Sequence, residues 1–167
     1  RKDVKLIVDY DFKWAKHNWY GIPILSTNMA SIATPEMAKR FYINLMGFCT
    51  NKFIQVSEAQ SLYNYNGGDC SFWSMGTKEN DISDHDIMNG VFPSNMFGVL
   101  IDIANGNSIQ LSDTVKKVRD KYPDKIIMAG SLATPEMAPL TKASRQRCWK
   151  VSTCSSARGR SKTASGG

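Results

Sequence analysis

The segment Ser31-Ile32-Ala33-Thr34-Pro35-Glu36-Met37-Ala38 returns 100 residues later as Ser131-Leu132-Ala133-Thr134-Pro135-Glu136-Met137-Ala138. Each copy follows an apolar run, Ile22-Pro23-Ile24-Leu25 in the first case and Ile126-Ile127-Met128 in the second. Within each copy the threonine suits a helix N-cap, the proline suits the first helical position, and the glutamate favours the positive end of a helix. Two strand-loop-helix units are therefore built on one plan. A repeat this long does not belong to a short-period solenoid, but it suits a (β/α) barrel, whose units are similar without being identical. A doubly wound sheet stays open at this point.

Further apolar runs at Leu45 to Cys49, Cys70 to Trp73, Val99 to Ile103 and Cys148 to Val151 read as buried parallel strands. Helical patterns lie between the strands, at Pro35 to Leu45 and at Ser112 to Lys121. In the second, Val115 and Val118 face inward and Lys116, Lys117, Arg119 and Lys121 outward. Strand and helix alternate, which predicts an α/β fold. The hydrophobic share of 42% supplies a core and excludes disorder throughout. Neither a G-x-G-x-x-G fingerprint nor a P-loop follows any of these strands. No run reaches the roughly 18 apolar residues of a spanning helix, and the charged start lacks a signal-peptide core, so a soluble, cytoplasmic protein without membrane partners is expected.

Charge is divided unevenly along the chain. Residues 1 to 136 carry 14 Lys/Arg against 15 Asp/Glu, while residues 137 to 167 carry 7 Lys/Arg and no acid. Basicity is thus a property of the tail, and a binder using its whole folded surface on nucleic acid is disfavoured. The stretch 155–167 consists of Ser, Ala, Gly, Lys, Arg and Thr without a large apolar side chain, and is expected to be disordered. A basic nucleic-acid module acting through that tail is a third reading of the chain. Cys49, Cys70, Cys148 and Cys154 form no C-x-x-C pair, and the histidines are His17 and His85, so no metal site is expected.

In a barrel, chemistry gathers at the C-terminal ends of the strands. The polar residues there are Asn28; Thr50, Asn51 and Lys52; Ser74 and Gly76; Asp102, Asn105 and Gly106; Gly130, Ser131 and Thr134; and the region of Cys154. A carboxylate closing an apolar strand is costly to bury without partners, which draws attention to Asp102. Its bland alternative is a cap for the Asn105-Gly106 turn. Cys154 lies in a small, cation-rich stretch that would lower a thiol pKa, against the alternative of a loop cysteine with no role. Cys49 reads as a core residue. Trp14, Trp19 and Tyr20 near His17 read as a packed flap on the barrel floor, and His85 among Asp81, Asp84 and Asp86 as an exposed acidic loop.

Three segments then stand out together. They are Ile22-Pro23-Ile24-Leu25 with Asn28-Met29, Asp102-Ile103-Ala104-Asn105-Gly106, and Ile127-Met128-Ala129-Gly130 with Thr134 and Glu136-Met137. Between Arg1 and Val151 the chain resembles the GMP reductase branch of the IMP dehydrogenase and GMP reductase family. The resemblance implies a (β/α)8 TIM barrel, of which residues 1–154 hold about the first six β/α units. It implies reduction of GMP to IMP and ammonia with NADPH through a cysteine thioimidate, and a tetrameric homo-oligomer as the usual assembly. Carried over by position, Arg1, Lys52, Asp102, Ile103 and Ala104 match dinucleotide contacts, Cys154 the nucleophile and Ser156 a hydroxyl aiding proton transfer.

This sequence departs from the family pattern at the catalytic loop. Matching Cys154 and Ser156 requires a deletion of loop residues, and without that gap Gly159 takes the nucleophile position. The same deletion removes most of the glycines whose carbonyls hold potassium in the family. Ala30 stands where the family has Asp, and Ser131 where it has Asn. Two further readings follow: an inactive, truncated relative that binds nucleotide or assembles with a full-length partner, and an IMP dehydrogenase-like activity.

Overall fold

A computed structural model describes residues 4–12, 15–54, 58, 70–78, 97–132 and 149–150. The chain opens with a hairpin, β1 (Val8–Asp11) antiparallel to β2 (Asn18–Gly21). There follow α1 (Pro35–Ile43), β3 (Phe48–Cys49), β4 (Ser71–Met75), β5 (Gly98–Asp102), α2 (Ile109–Lys121), β6 (Ile126–Gly130) and β7 (Trp149–Lys150). β3 to β7 form one parallel sheet in the order of the sequence. A doubly wound sheet would reverse direction at a switch point. Each strand here lies beside its predecessor instead, which is how a (β/α) barrel wall grows, so this is an α/β fold with a partial barrel.

The first expected strand, Ile22 to Leu25, is reduced to a parallel bridge between Leu25 and Gly47. Pro23 brings no backbone donor, but Ile22 N still donates to Leu45 O, Gly47 N to Ile24 O and Ser26 N to Gly47 O. The segment therefore sits beside β3 as the next position in the wall. At Gly47 an added Cβ would fall 2.0 Å from Leu25 Cδ2, so the leucine side chain would have to shift to admit it. The hairpin β1–β2 was not foreseen from sequence.

Helix starts follow their caps. Thr34 Oγ1 accepts from Met37 N at 3.3 Å and Pro35 opens α1, as the repeat predicts. α2 begins three residues earlier than expected, since Ser108 Oγ accepts from Leu111 N at 3.3 Å and sets the boundary. The second copy of the repeat beyond Leu132 lies outside the described residues, as do the basic tail, Trp14 and the acidic loop around His85.

Alternation along the strands divides the apolar residues between two faces. Outward, Met75, Val99, Ile101, Ile127 and Ala129 pack with Leu111, Val115 and Val118 of α2. Phe48 packs outward with Ala33 and Ala38 at α1. Inward, Cys49, Phe72, Ile126 and Met128 pack with Trp19 of the hairpin and with Phe97. The floor is thus a flap, as the aromatic group predicts for Trp19, although Tyr20 of the same group is exposed. Phe97 is its hub, with ring centroids 5.3 Å from Trp19, 5.4 Å from Phe72 and 6.4 Å from Phe12.

One residue of α2 departs from the outward face expected for it. Arg119 is buried, and its guanidinium donates to the carbonyls of Pro123 at 3.0 Å and Lys125 at 2.7 Å. Both carbonyls belong to the turn that follows α2, so the cation near the helix C-terminus holds the turn into β6 folded around it.

Candidate functional site

A cleft of about 240 Å³ lies where the C-terminal ends of the strands meet. Leu25, Leu100 and Met128 supply its apolar lining, while Ser26, Thr27, Asn28, Asp102 and Ser131 supply polar groups. Its frame is largely backbone. Ile103 N donates to Gly130 O and Ser131 N to Ile103 O, each at 2.9 Å, and Gly106 N donates to Ser131 O at 2.8 Å. The loops after β5 and β6 are joined by these bonds, and a Cβ on Gly106 would lie 2.4 Å from Ser131 O.

Asp102 ends β5, and its side chain points inward into the cleft. Asn28 Nδ2 donates to Asp102 Oδ2 at 2.8 Å. Among the described residues Oδ1 has no such donor, so the carboxylate presents an open acceptor to the cleft. The Asn105-Gly106 turn, for which Asp102 is the alternative cap, is closed by Asn105 itself, whose Oδ1 accepts from Asn107 N at 3.0 Å. Asn51, after β3, donates from Nδ2 to Asn28 O at 2.9 Å and accepts at Oδ1 from Phe53 N at 2.8 Å. Neither asparagine stood out for this role in the sequence, because the partners lie 23 and 74 residues apart.

Cys49 also lines the cleft, on the side where Ser26 Oγ accepts from Cys49 N at 2.8 Å. Burial pushes its thiol up to about 12, and the neighbouring Asp102 charge adds to the effect. A thiol held that high is protonated near neutrality and is a poor nucleophile.

Of the residues matched to dinucleotide contacts, the structure places Asp102 on the cleft. Lys52 is exposed on the turn after Asn51, its Nζ 5.1 Å from the Phe53 ring centroid, and does not line the cleft. Ile103 is half-buried and packs on the outer core, and Ala104 is exposed in the loop beyond it. Arg1, Cys154 and Ser156 lie outside the described residues. Among the described residues no cluster of His, Cys, Asp or Glu is arranged to hold a metal ion. No helix among them is long and apolar enough to cross a membrane.

The chain is 33% identical over 147 residues to a GMP reductase of Aliivibrio fischeri (strain ATCC 700601 / ES114) and 34% identical over 144 residues to one of Edwardsiella ictaluri (strain 93-146). In each case the match covers 82% of the chain. It belongs to the GMP reductase and IMP dehydrogenase family. The solved inosine 5'-monophosphate dehydrogenase of Legionella pneumophila matches its fold with a TM-score of 0.66 at 18% identity, over 86% of this chain and 43% of that one. No family model matches the chain. This member of the family spans 40% of the length of the curated relatives it matches.

Proposed function

We propose that this chain acts in GMP reductase chemistry, converting GMP to IMP and ammonia at the expense of NADPH, with the cleft at the strand mouths as the dinucleotide site. The observation that carries the reading is the Asp102 carboxylate, held at Oδ2 by Asn28 and, among the described residues, open at Oδ1 over an apolar floor. Such a group accepts a hydrogen bond from a hydroxyl of a ribose-bearing ligand, and the hydroxyls of Ser26, Thr27 and Ser131 give that ligand further polar partners. Lys52 would meet phosphate oxygens from its exposed turn. When bound, NADPH supplies the hydride that no side chain can.

The proposal extends to Cys154 as the nucleophile. Its thiolate adds to C2 of the purine, the C2–N bond breaks as ammonia leaves, and after hydride arrives at C2 the C–S bond breaks and releases the thiolate. Ser156 aids the proton transfer to the leaving nitrogen. Cys49 does not take this role, since its thiol is held neutral. A second reading, nucleotide binding without turnover, rests on the departure at the catalytic loop, where matching Cys154 to the nucleophile requires a deletion.

Two measurements separate these readings. NADPH consumption that requires GMP and disappears in Cys154→Ala supports the reductase; NADPH binding without consumption supports the binding reading. Asp102→Ala is expected to weaken NADPH binding by about ten-fold or more, the scale of one charge-assisted hydrogen bond. Unchanged affinity in that variant removes the cleft from the proposal.

A further inference from the structure

We infer that Asn28 is a positioning residue for Asp102, and that Asn51 ties this pair to the turn that carries Lys52. The inference rests on the dinucleotide reading of the cleft and adds to it how the two charged groups are presented. Asn28 uses both ends: its side-chain amide donates to Asp102 Oδ2 at 2.8 Å, and its backbone carbonyl accepts from Asn51 Nδ2 at 2.9 Å. The Asn51 side chain is used twice as well, because its Oδ1 accepts from Phe53 N at 2.8 Å and so closes the Asn51-Lys52-Phe53 turn on itself. Three strand mouths, those after the Leu25 bridge, β3 and β5, are thereby joined by one chain of bonds.

The chemistry of each group requires its neighbour. A carboxylate accepts at either oxygen and rotates about its terminal torsion, which has broad minima. A donor fixed on Oδ2 stops that rotation and leaves Oδ1 as the oxygen offered to a ligand hydroxyl. The donor must itself be held, and the bond from Asn51 to the Asn28 carbonyl fixes the backbone from which the amide projects. Because Lys52 follows Asn51 directly, the cation and the carboxylate are carried on one frame, as recognition of a ligand bearing both phosphate and ribose requires.

The test uses the full chain and NADPH as the probe, titrated by fluorescence against the parent, Asn28→Ala, Asp102→Ala and the double variant. Asn28→Ala is expected to weaken NADPH binding about ten-fold in the parent background and to have no effect in the Asp102→Ala background, since it acts through that carboxylate. Asn51→Asp keeps the turn acceptor and removes the donor to Asn28, and is expected to weaken binding by a smaller factor while leaving the thermal midpoint near that of the parent. Equal affinity in the parent and Asn28→Ala overturns the inference. So does a loss that persists when Asp102 is already Ala.

A second measurement needs no ligand: the side-chain amide resonances of Asn28 are expected to move in Asp102→Ala. Resonances that stay in place overturn the inference whatever the titrations give. Resonances that move in a chain that does not bind NADPH support the positioning of Asp102 and overturn the dinucleotide reading instead.

Discussion

At Cys49 a buried thiol and the Asp102 charge face the same cleft, and together they give the molecule a pH dependence at the alkaline end. The thiol is pushed from its ordinary value of 9.0 to about 12, so the folded chain keeps this proton after the unfolded chain has lost it. Below pH 9 both states hold the proton and the group adds no slope. Between about pH 9 and 12 the unfolded state binds fewer protons, and stability falls as pH rises. Thermal midpoints followed across that range are expected to fall more steeply in the parent than in Cys49→Ala, with a difference on the order of a few kcal/mol by the top of the range. Parallel curves would show that the thiol titrates normally. Asp102 itself was legible in the sequence, because an acid at the end of an apolar strand demands a partner. The identity of that partner was not, since Asn28 reaches it across 74 residues and no local pattern encodes such a contact.

At the scale of elements, the glycine that matters most for the cleft is Gly106. It lets the loop after β5 come against the Ser131 carbonyl, and a methyl group there would lie 2.4 Å from that oxygen and 2.8 Å from Leu132 Cδ2. Gly106→Ala is expected to cost about 1–3 kcal/mol, the usual range for overpacking, because a backbone carbonyl cannot swing aside as a side chain does. Chemical denaturation of the variant measures this, and a midpoint equal to the parent's would mean that the two loops separate freely. α1 was legible almost to the residue from Thr34 and Pro35. The start of α2 was missed because Ser108 follows Asn107 in a polar stretch that reads as loop, and the cap shows only when its hydroxyl meets Leu111 N. Arg119 was misread for a related reason. Helical periodicity assigns it a face by its own position, whereas the turn at Tyr122-Pro123-Asp124-Lys125 folds back to receive it.

Over the whole molecule, the parallel wall was legible because its strands are apolar runs of the right length, with recognisable helices in two of the intervals. The hairpin that floors it was not, since β1 is mostly exposed and β2 buries only Trp19 and Gly21, too short a pattern to demand burial. Their place is set by contacts remote in sequence, above all the meeting of Trp19, Phe12 and Phe72 on Phe97. Phe97→Ala is therefore expected to cost about 3–5 kcal/mol and to free the hairpin from the sheet before the sheet itself melts. Hydrogen exchange would show this as early loss of protection in Val8–Asp11 and Asn18–Gly21, with β5 and β6 still protected; uniform loss would mean that hairpin and wall unfold as one unit. The ion pair between Lys16 and Asp124, at 2.7 Å but exposed on both sides, is too weak to hold the hairpin alone.

The bonds that join the loops after β5 and β6 run from amide to carbonyl at Ile103, Gly106, Gly130 and Ser131, and none of them uses a side chain. The rim of the cleft is consequently a scaffold whose shape is independent of most of the letters written on it. Ala104 and Ser131 can drift while the opening keeps its outline, whereas Asn105, whose side chain closes the turn, and Gly106 are the positions where drift is penalised. Substitution along such a rim can change what it recognises without rebuilding it.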